Sequence, residues 1–495
     1  MRIYICREMF SVVFKIRKSY FLWLIIVCLI SCVGCKGQKV NEVFAENKPK
    51  SILVVSLDDR PVNIDYPLYL AEEDKITLSN SIQQNTFAER IETIENELNT
   101  GKYNGLVLSF DNLLYGGLME SRVVENPLSE KDRKRIKQLL KTIKSKNILA
   151  YGFTSAQRVA TNIYSDEDLE RYKTAIKKNT QLTNGNFMSA TQTEFVMSEE
   201  DRLYYQHRAN KLKDTVFLLE ETTDYFEEFY VAKDDTQHSG IQRYELHSLE
   251  KIAENSNIYF VNGTDELVST LIYKVLYEGE KPKVYIYKTS EEDFQRRILP
   301  FEGATLENLL KEKQQMYHFE QVDLEAADFI WIIHNGKSFN RDEVYELLKT
   351  NKTLMLTDLN IGNVEQQLLT DLFKNNQQGF SNIDVYCSWN TTSNMIGLTL
   401  SQGFLIQENS RNQLLLEKRI LKDYVYHSIL KRVIRETYLE ENADQYNIVN
   451  PKINQYILSE MNDFLEQKLK TTTRVEKITI PWKRLFEISI DFKQD

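Results

Sequence analysis

The chain has 495 residues, 42% of them hydrophobic and 27% charged, with a net charge of −10. That supplies apolar material for a large core, and 17 Gly with 8 Pro are too few for a collagen-like, linker-rich or broadly disordered chain. The acidic balance and the lack of a basic patch argue against a nucleic-acid partner.

The N-terminus reads as an address. Arg2, Arg7, Lys15, Arg17 and Lys18 precede an apolar run from Tyr20 to Ile30. The run is well short of the ~20 residues of a membrane-spanning helix and suits a signal-peptide core. It ends in Leu29-Ile30-Ser31-Cys32, which resembles the bacterial lipoprotein signal. Cys32 is the expected lipidation site, with Cys35 as the alternative. The expectation is an extracytoplasmic body held to a bacterial membrane by lipid, with residues 36–50 as a polar linker. Only Cys387 lies outside the first 35 residues, so neither a disulfide framework nor a cysteine metal site is expected.

From residue 51 onward, short apolar runs alternate with amphipathic stretches. The predicted strands are Ile52–Leu57, Ile76–Leu78, Gly105–Phe110, Ile148–Phe153, Phe226–Ala232, Ile258–Val261, Val284–Tyr287, Phe329–Ile333, Leu354–Leu356 and Ile383–Cys387. Between them, Phe87–Leu98, Asp132–Ile143, Glu266–Leu276, Thr305–Met316, Arg341–Leu348 and Met395–Ile406 carry apolar residues at helical spacing. Strand–helix alternation predicts an α/β fold with a parallel sheet. Residues 411–470 read as helical, and Lys477–Phe492 as a terminal strand or hairpin. Two architectures satisfy this order. One is a TIM-like (β/α)8 barrel followed by C-terminal helices and a strand. The other is a pair of doubly wound, Rossmann-like domains meeting near residue 280. A barrel would gather the polar strand ends around one mouth.

Those strand ends are the chemical signal. Asp58, Asp59, Arg60 and Asn63 follow the first strand, and Asp111 and Tyr115 the third. Asp234-Asp235, Asp265-Glu266, Asp358 with Asn360, and Trp389-Asn390 follow later ones. Asp, Asn and Ser are common in turns and helix caps, but in parallel β/α folds the C-terminal strand ends are where sites are built. In Asp234-Asp235, mutual repulsion raises one carboxyl and suits it to act as an acid. Strand alternation predicts that only one of the two faces a pocket. No H-x-x-x-H spacing exists among the six histidines, so zinc has little support. No cofactor is required, although Asp58, Asp59, Asp111, Asp234, Asp235 and His238 leave room for oxygen-ligated Mg²⁺ or Ca²⁺. G-x-S-x-G, phosphate-loop and G-x-G-x-x-G motifs are absent from the sequence.

Several segments resemble a bacterial family designated domain of unknown function 4127. They are Leu57 to Asn63 with Asp65-Tyr66-Pro67, Asp111 through Leu118 with Ser121-Arg122, and Asp234-Asp235 with Gly240. Further on come Gly263 to Glu266, Trp389-Asn390-Thr391 with Asn394 and Gly397, and Pro481-Trp482 with Arg484, Phe486 and Glu487. The resemblance spans residues 50–492 and implies a grouping without a reaction. Thr154 to Arg158 depart from the family pattern and receive no site residue. A fainter similarity joins Phe229 to Asp235 and Gly240 to the catalytic strand of O-GlcNAcase-type glycoside hydrolases. It implies Asp235 as general acid/base and Asp234 as the residue orienting the substrate.

The reading that follows is a surface-anchored carbohydrate-active hydrolase, acting on N-acetylated sugars if the fainter similarity holds. Asp58, Asp59, Arg60, Asn63, Asp111, Tyr115, Arg122, Asp265, Glu266, Asp358, Asn360, Trp389, Asn390 and Asn394 are its candidate substrate-binding residues. The rivals are a lipid-anchored binding protein without catalysis, hinged near 277–283, and a divalent-metal phosphoesterase.

Overall fold

The computed structural model describes residues 51–159, 199–236, 241–291, 294, 299, 301–336, 338–360, 363–439, 448 and 450–493. The expected signal segment and linker, with Cys32 and Cys35, and also His238 and Gly240 lie outside them. Among the described residues no helix is long and apolar enough to cross a membrane.

Six strands, β1 (Ile52–Val55), β2 (Ile76–Leu78), β3 (Gly105–Ser109), β4 (Leu149–Ala156), β5 (Glu228–Lys233) and β6 (Ile258–Asn262), form one parallel sheet in the order β2-β1-β3-β4-β5-β6. Five more, β7 (Lys283–Lys288), β8 (Glu320–Gln321), β9 (Phe329–His334), β10 (Thr353–Asp358) and β11 (Val385–Cys387), form a second parallel sheet in the order β11-β10-β9-β7-β8. Within each sheet the first strand lies between the second and the third, which is the doubly wound order. Among the described residues the strands therefore make two open sheets, and no pairing closes the eight-stranded barrel expected from the polar strand ends. Strand–helix alternation is common to both architectures; hydrogen bonding between distant strands separates them.

The strands read as unbroken apolar runs because both faces are covered. Ile52 and Val54 enter one core cluster and Leu53 and Val55 another; Trp331 and Met355 divide in the same way from Ile330 and Leu354, following the two-residue period of a strand. The outer face of the first sheet is covered by α2 (Phe87–Asn99), α4 (Glu130–Ser145), α5 (Glu199–Thr222) and α6 (Ile241–Ile252). The short α3 (Phe110–Tyr115) packs with them. Helices α2 and α4 start from the capping boxes Thr86/Glu89 and Ser129/Asp132, which satisfy backbone donors that an open helix end leaves exposed. The inner faces of the two sheets share one cluster with α1 (Pro61–Leu68), α7 (Leu267–Leu276), α8 (Leu306–Tyr317) and α11 (Thr392–Leu405). Helix α11 is buried along its whole length, so it lacks the polar stripe of a surface helix.

The outer face of the second sheet carries α9 (Arg341–Leu347), α10 (Leu368–Asn375) and the C-terminal elements. There α12 (Asn412–Arg419) continues into a π-helical stretch (Ile420–Leu430) and then α13 (Lys431–Thr437), and α14 (Pro451–Phe464) follows. The terminal hairpin is β12 (Val475–Thr479) against β13 (Ser489–Phe492), antiparallel.

Candidate functional site

The C-terminal ends of both sheets open on one cavity of about 940 Å³. Arg60 comes from the turn after β1, Arg122 from the segment after α3, Arg158 from just beyond β4, and Asp234 and Asp235 from the end of β5. Asp265 follows β6, Asn360 follows β10, and Trp389, Asn390 and Asn394 follow β11. The π-helical stretch adds Lys422 and Asp423; α13 adds Lys431 and Arg435; the loop inside the terminal hairpin adds Arg484, Phe486 and Glu487.

Asp234 and Asp235 both line the cavity, against the expectation that only one would. Strand β5 ends at Lys233, and Asp235 takes φ +38°, a left-handed conformation that costs a non-glycine residue on the order of 1 kcal/mol and breaks the alternation of side chains. Each carboxylate has its own arginine. Arg122 reaches Asp234 Oδ2 through Nε at 3.1 Å and Nη2 at 2.5 Å. Arg158 Nη1 reaches Asp235 Oδ2 at 2.6 Å. Burial opposes ionisation of Asp234, but Arg122 and then Arg158 outweigh it and hold its carboxyl below the usual value. Burial and the Asp234 carboxylate push Asp235 up, against the pull of Arg158. Adjacent residues are thus separated into a persistent anion and a carboxyl inclined to carry a proton.

A second cluster fixes Arg60. Its guanidinium contacts Asp58 Oδ2 at 2.9 Å through Nε and grips Asp265 with Nη1 at 3.1 Å and Nη2 at 2.6 Å. Burial works against its charge, but Asp265 and Asp58 raise its pKa well above the ordinary value. Asn63 Nδ2 donates to Asp58 Oδ1 at 2.7 Å. Asn394 Oδ1 accepts the backbone N–H groups of Thr264 and Asp265 at 3.0 and 3.1 Å, and its amide donates to Asn390 Oδ1 at 3.1 Å. One asparagine on α11 therefore joins the end of β6 to the end of β11.

Trp389 also has a left-handed backbone, φ +51°. Its ring stacks on His427 at 3.2 Å between centroids, with the two planes nearly parallel, and Phe486 meets it edge-on at 5.2 Å. His427 is buried and burial drives its pKa far down; it serves as a neutral platform holding the indole at the cavity wall.

Other candidates stand behind that wall. Asp58 and Asn63 act through Arg60 and do not line the cavity, and Asp59 is exposed away from it. Asp111 is fully buried, bound to Lys211 and to the Ser155 N–H at 2.6 Å. Tyr115 donates to Asp214 at 2.9 Å. Glu266 is fully buried with Lys313 at 2.7 Å, confined between Gly263 and Gly397, where a Cβ at either position would overlap its side chain. Asp358 closes its own turn, accepting the Asn360 N–H at 3.1 Å and the Leu368 N–H at 2.7 Å at the start of α10. Each is a polar residue after a strand, and in these the turn and core roles prevail over ligand contact.

Sequence reasoning misses other wall residues. Arg158 belongs to a segment that departs from the family pattern. Glu302, whose carboxyl burial pushes up to about 7 while it accepts the Ser393 N–H at 2.6 Å, lies in no recognisable motif. Asp423, also pushed up to about 7 by burial, accepts the Ser388 N–H at 3.1 Å. It sits in a π-helical stretch that apolar periodicity cannot distinguish from an ordinary helix. Arg484 and Glu487 are visible only through the family resemblance. Among the described residues no three His, Cys, Asp or Glu side chains gather as a metal-ligand set.

Weak structural similarity extends to glycoside hydrolases. CpGH84B matches at 11% identity and a TM-score of 0.22, covering 79% of this chain and 54% of its own. A GH138 enzyme targeting pectin rhamnogalacturonan II matches at 8% and 0.19, covering 79% and 42%. The β-mannanase of the blue mussel Mytilus edulis matches at 9% and 0.18, covering 66% and 87%. This chain thus spans about half the length of CpGH84B and less than half that of the GH138 enzyme, and at such TM-scores the likenesses carry no argument about chemistry. No curated protein matches the sequence significantly. The family described as protein of unknown function (DUF4127) matches residues 52–491, nearly the whole described body, and the chain belongs to it.

Proposed function

We propose that the protein is a carbohydrate-active hydrolase in which Asp235 is the general acid/base and Asp234, kept ionised by Arg122, orients the reacting group. The observation that carries this reading is the Asp234–Asp235 pair. Two adjacent carboxylates share one cavity wall, and opposite environments push their pKa values apart, the arrangement that divides acid from base or orienting roles. The cavity falls in the range of about 300–1,000 Å³ usual for small ligands. Trp389, stiffened by His427 and bordered by the Asn390 amide, offers an aromatic plane and a hydrogen-bond donor of the kind a pyranose ring needs. A lipid tether on Cys32, with Cys35 as the alternative, belongs to the same proposal. Loss of lipid labelling in Cys32→Ser but not Cys35→Ser would identify the site.

The test begins with a thermal-shift screen of N-acetylated and plain sugars. A ligand at a hundredfold excess over Kd stabilises by about 2.7 kcal/mol. Asp235→Asn is then made and assayed on the oligosaccharides that bind. Turnover should fall by about 10²–10⁴-fold, the usual contribution of general acid–base catalysis, while ligand binding and melting temperature are retained. Undiminished turnover would remove Asp235 from the chemistry.

The rival is a binding protein without catalysis. One observation favours it: two sheets of doubly wound order present their C-terminal ends to a common cavity. It expects tight binding by the unaltered protein with no product formed.

A further inference from the structure

The cavity wall is rich in cations for an acidic protein. Arg60, Arg122 and Arg158 are held by Asp265, Asp234 and Asp235 as described, and Lys422 is held by Glu487. A different group surrounds Trp389. Lys431 Nζ lies 5.0 Å from the Trp389 ring centroid and 5.9 Å from that of Phe486, and the Arg484 guanidinium lies 5.6 Å from Phe486. Arg435, one helical turn beyond Lys431 on α13, lines the same cavity.

Among the described residues no carboxylate stands within ion-pair distance of Lys431. Nearby, Glu487 pairs with Lys422, and Asp423 accepts the Ser388 N–H. Burial first, and then repulsion by Arg435 and Arg484, pull Lys431 down to about 8 against the attraction of Glu487. Burial of an ammonium near two guanidiniums disfavours its charge. A bound anion would offset this, and in a partly dry cavity the resulting charge-assisted hydrogen bonds are strong. The aromatic pair beside the ammonium adds a surface on which a sugar ring can rest.

We propose that Lys431, together with Arg435 and Arg484, forms a subsite for an anionic substituent on a sugar whose ring packs against Trp389 and Phe486. The substrate class is therefore an acidic glycan. A uronate carboxylate, a sulfate ester and a phosphate monoester share the chemistry the subsite reads. The inference builds on the carbohydrate reading but does not depend on turnover.

The experiment is calorimetric titration of the full-length protein with three acidic probes and their neutral counterparts. The probes are a galacturonic acid trisaccharide against its methyl ester, and glucose 6-sulfate and glucose 6-phosphate against glucose. At least one acidic probe should bind about tenfold or more tightly than its counterpart, the effect of a single charge-assisted hydrogen bond. Lys431→Met should abolish that preference, and Lys431→Arg should keep most of it, with melting curves confirming that both variants fold. Which probe shows the preference identifies the anion. Equal affinities within every pair, or a preference that survives in Lys431→Met, would overturn the subsite. Acidic preference with no cleavage of any bound oligosaccharide would leave the subsite standing and sink the hydrolase. Cleavage of neutral oligosaccharides without acidic preference would do the reverse.

Discussion

Arg122 sets the electrostatics of the Asp234–Asp235 pair, and removing it exposes what the buried carboxylate costs. Arg122→Met should destabilise the protein by about 3–5 kcal/mol near neutral pH, because a buried carboxylate loses its principal cation. In the unaltered protein Asp234 sits below its ordinary value, so its stabilisation is present above that value and lost as pH falls. In the variant burial dominates and lifts the carboxyl, so stability falls as pH rises. The gap between the two should therefore narrow toward about pH 4, which urea titrations at several pH values would reveal. Glu302 has the opposite sign. Its folded value is raised to about 7, so it erodes stability as pH climbs from the ordinary carboxylate range through 7. Glu302→Gln keeps an acceptor for the Ser393 N–H and should match the parent below about pH 4. At pH 8 it should exceed the parent by up to about 3 kcal/mol; equal stability at pH 8 would contradict this.

At the scale of elements, α7 and α11 decide whether the strand ends meet. Glu266, at the start of α7, fills the space that Gly263 and Gly397 leave open, and Lys313 from α8 neutralises it. Gly397→Ala would drive a methyl into that side chain. The gain of up to ~1 kcal/mol in helix propensity should be outweighed by overpacking of about 1–3 kcal/mol, a net loss readable in a denaturant midpoint. A stabilised variant would show that Glu266 can move aside. The predicted strands and the helices Phe87–Leu98 and Asp132–Ile143 coincide with observed elements because β-branched runs, capping boxes and apolar spacing are local signals. Pro61–Leu68 escapes prediction because its polar residues read as a turn, and the π-helical turn widening is a response to packing that no periodicity announces.

For the whole molecule, the shared layer of α1, α7, α8 and α11 joins the inner faces of both sheets in one core cluster. We expect a single cooperative calorimetric transition, and no separately stable fragment when the chain is cut near residue 280, since either half would expose that layer to water. Two resolved transitions would show independent folding of the sheets and revive a hinge between them.

Composition, strand runs and strand-end polarity, all properties of contiguous residues, by themselves determined that this is an α/β chain of parallel strands with polar residues gathered at their ends. They also singled out Asp234-Asp235 and Trp389-Asn390. Only the tertiary structure decided that the strands form two open sheets. It also turned Asp111, Glu266 and Asp358 inward to serve the core, and brought Arg158, Glu302, Asp423 and Lys431 from distant segments to the cavity. Those outcomes depend on which side chains find partners across more than about a hundred residues of chain, as Asp111 does with Lys211 and Asn394 with Thr264. The desolvation that shifts their protons exists only once the chain has closed around them.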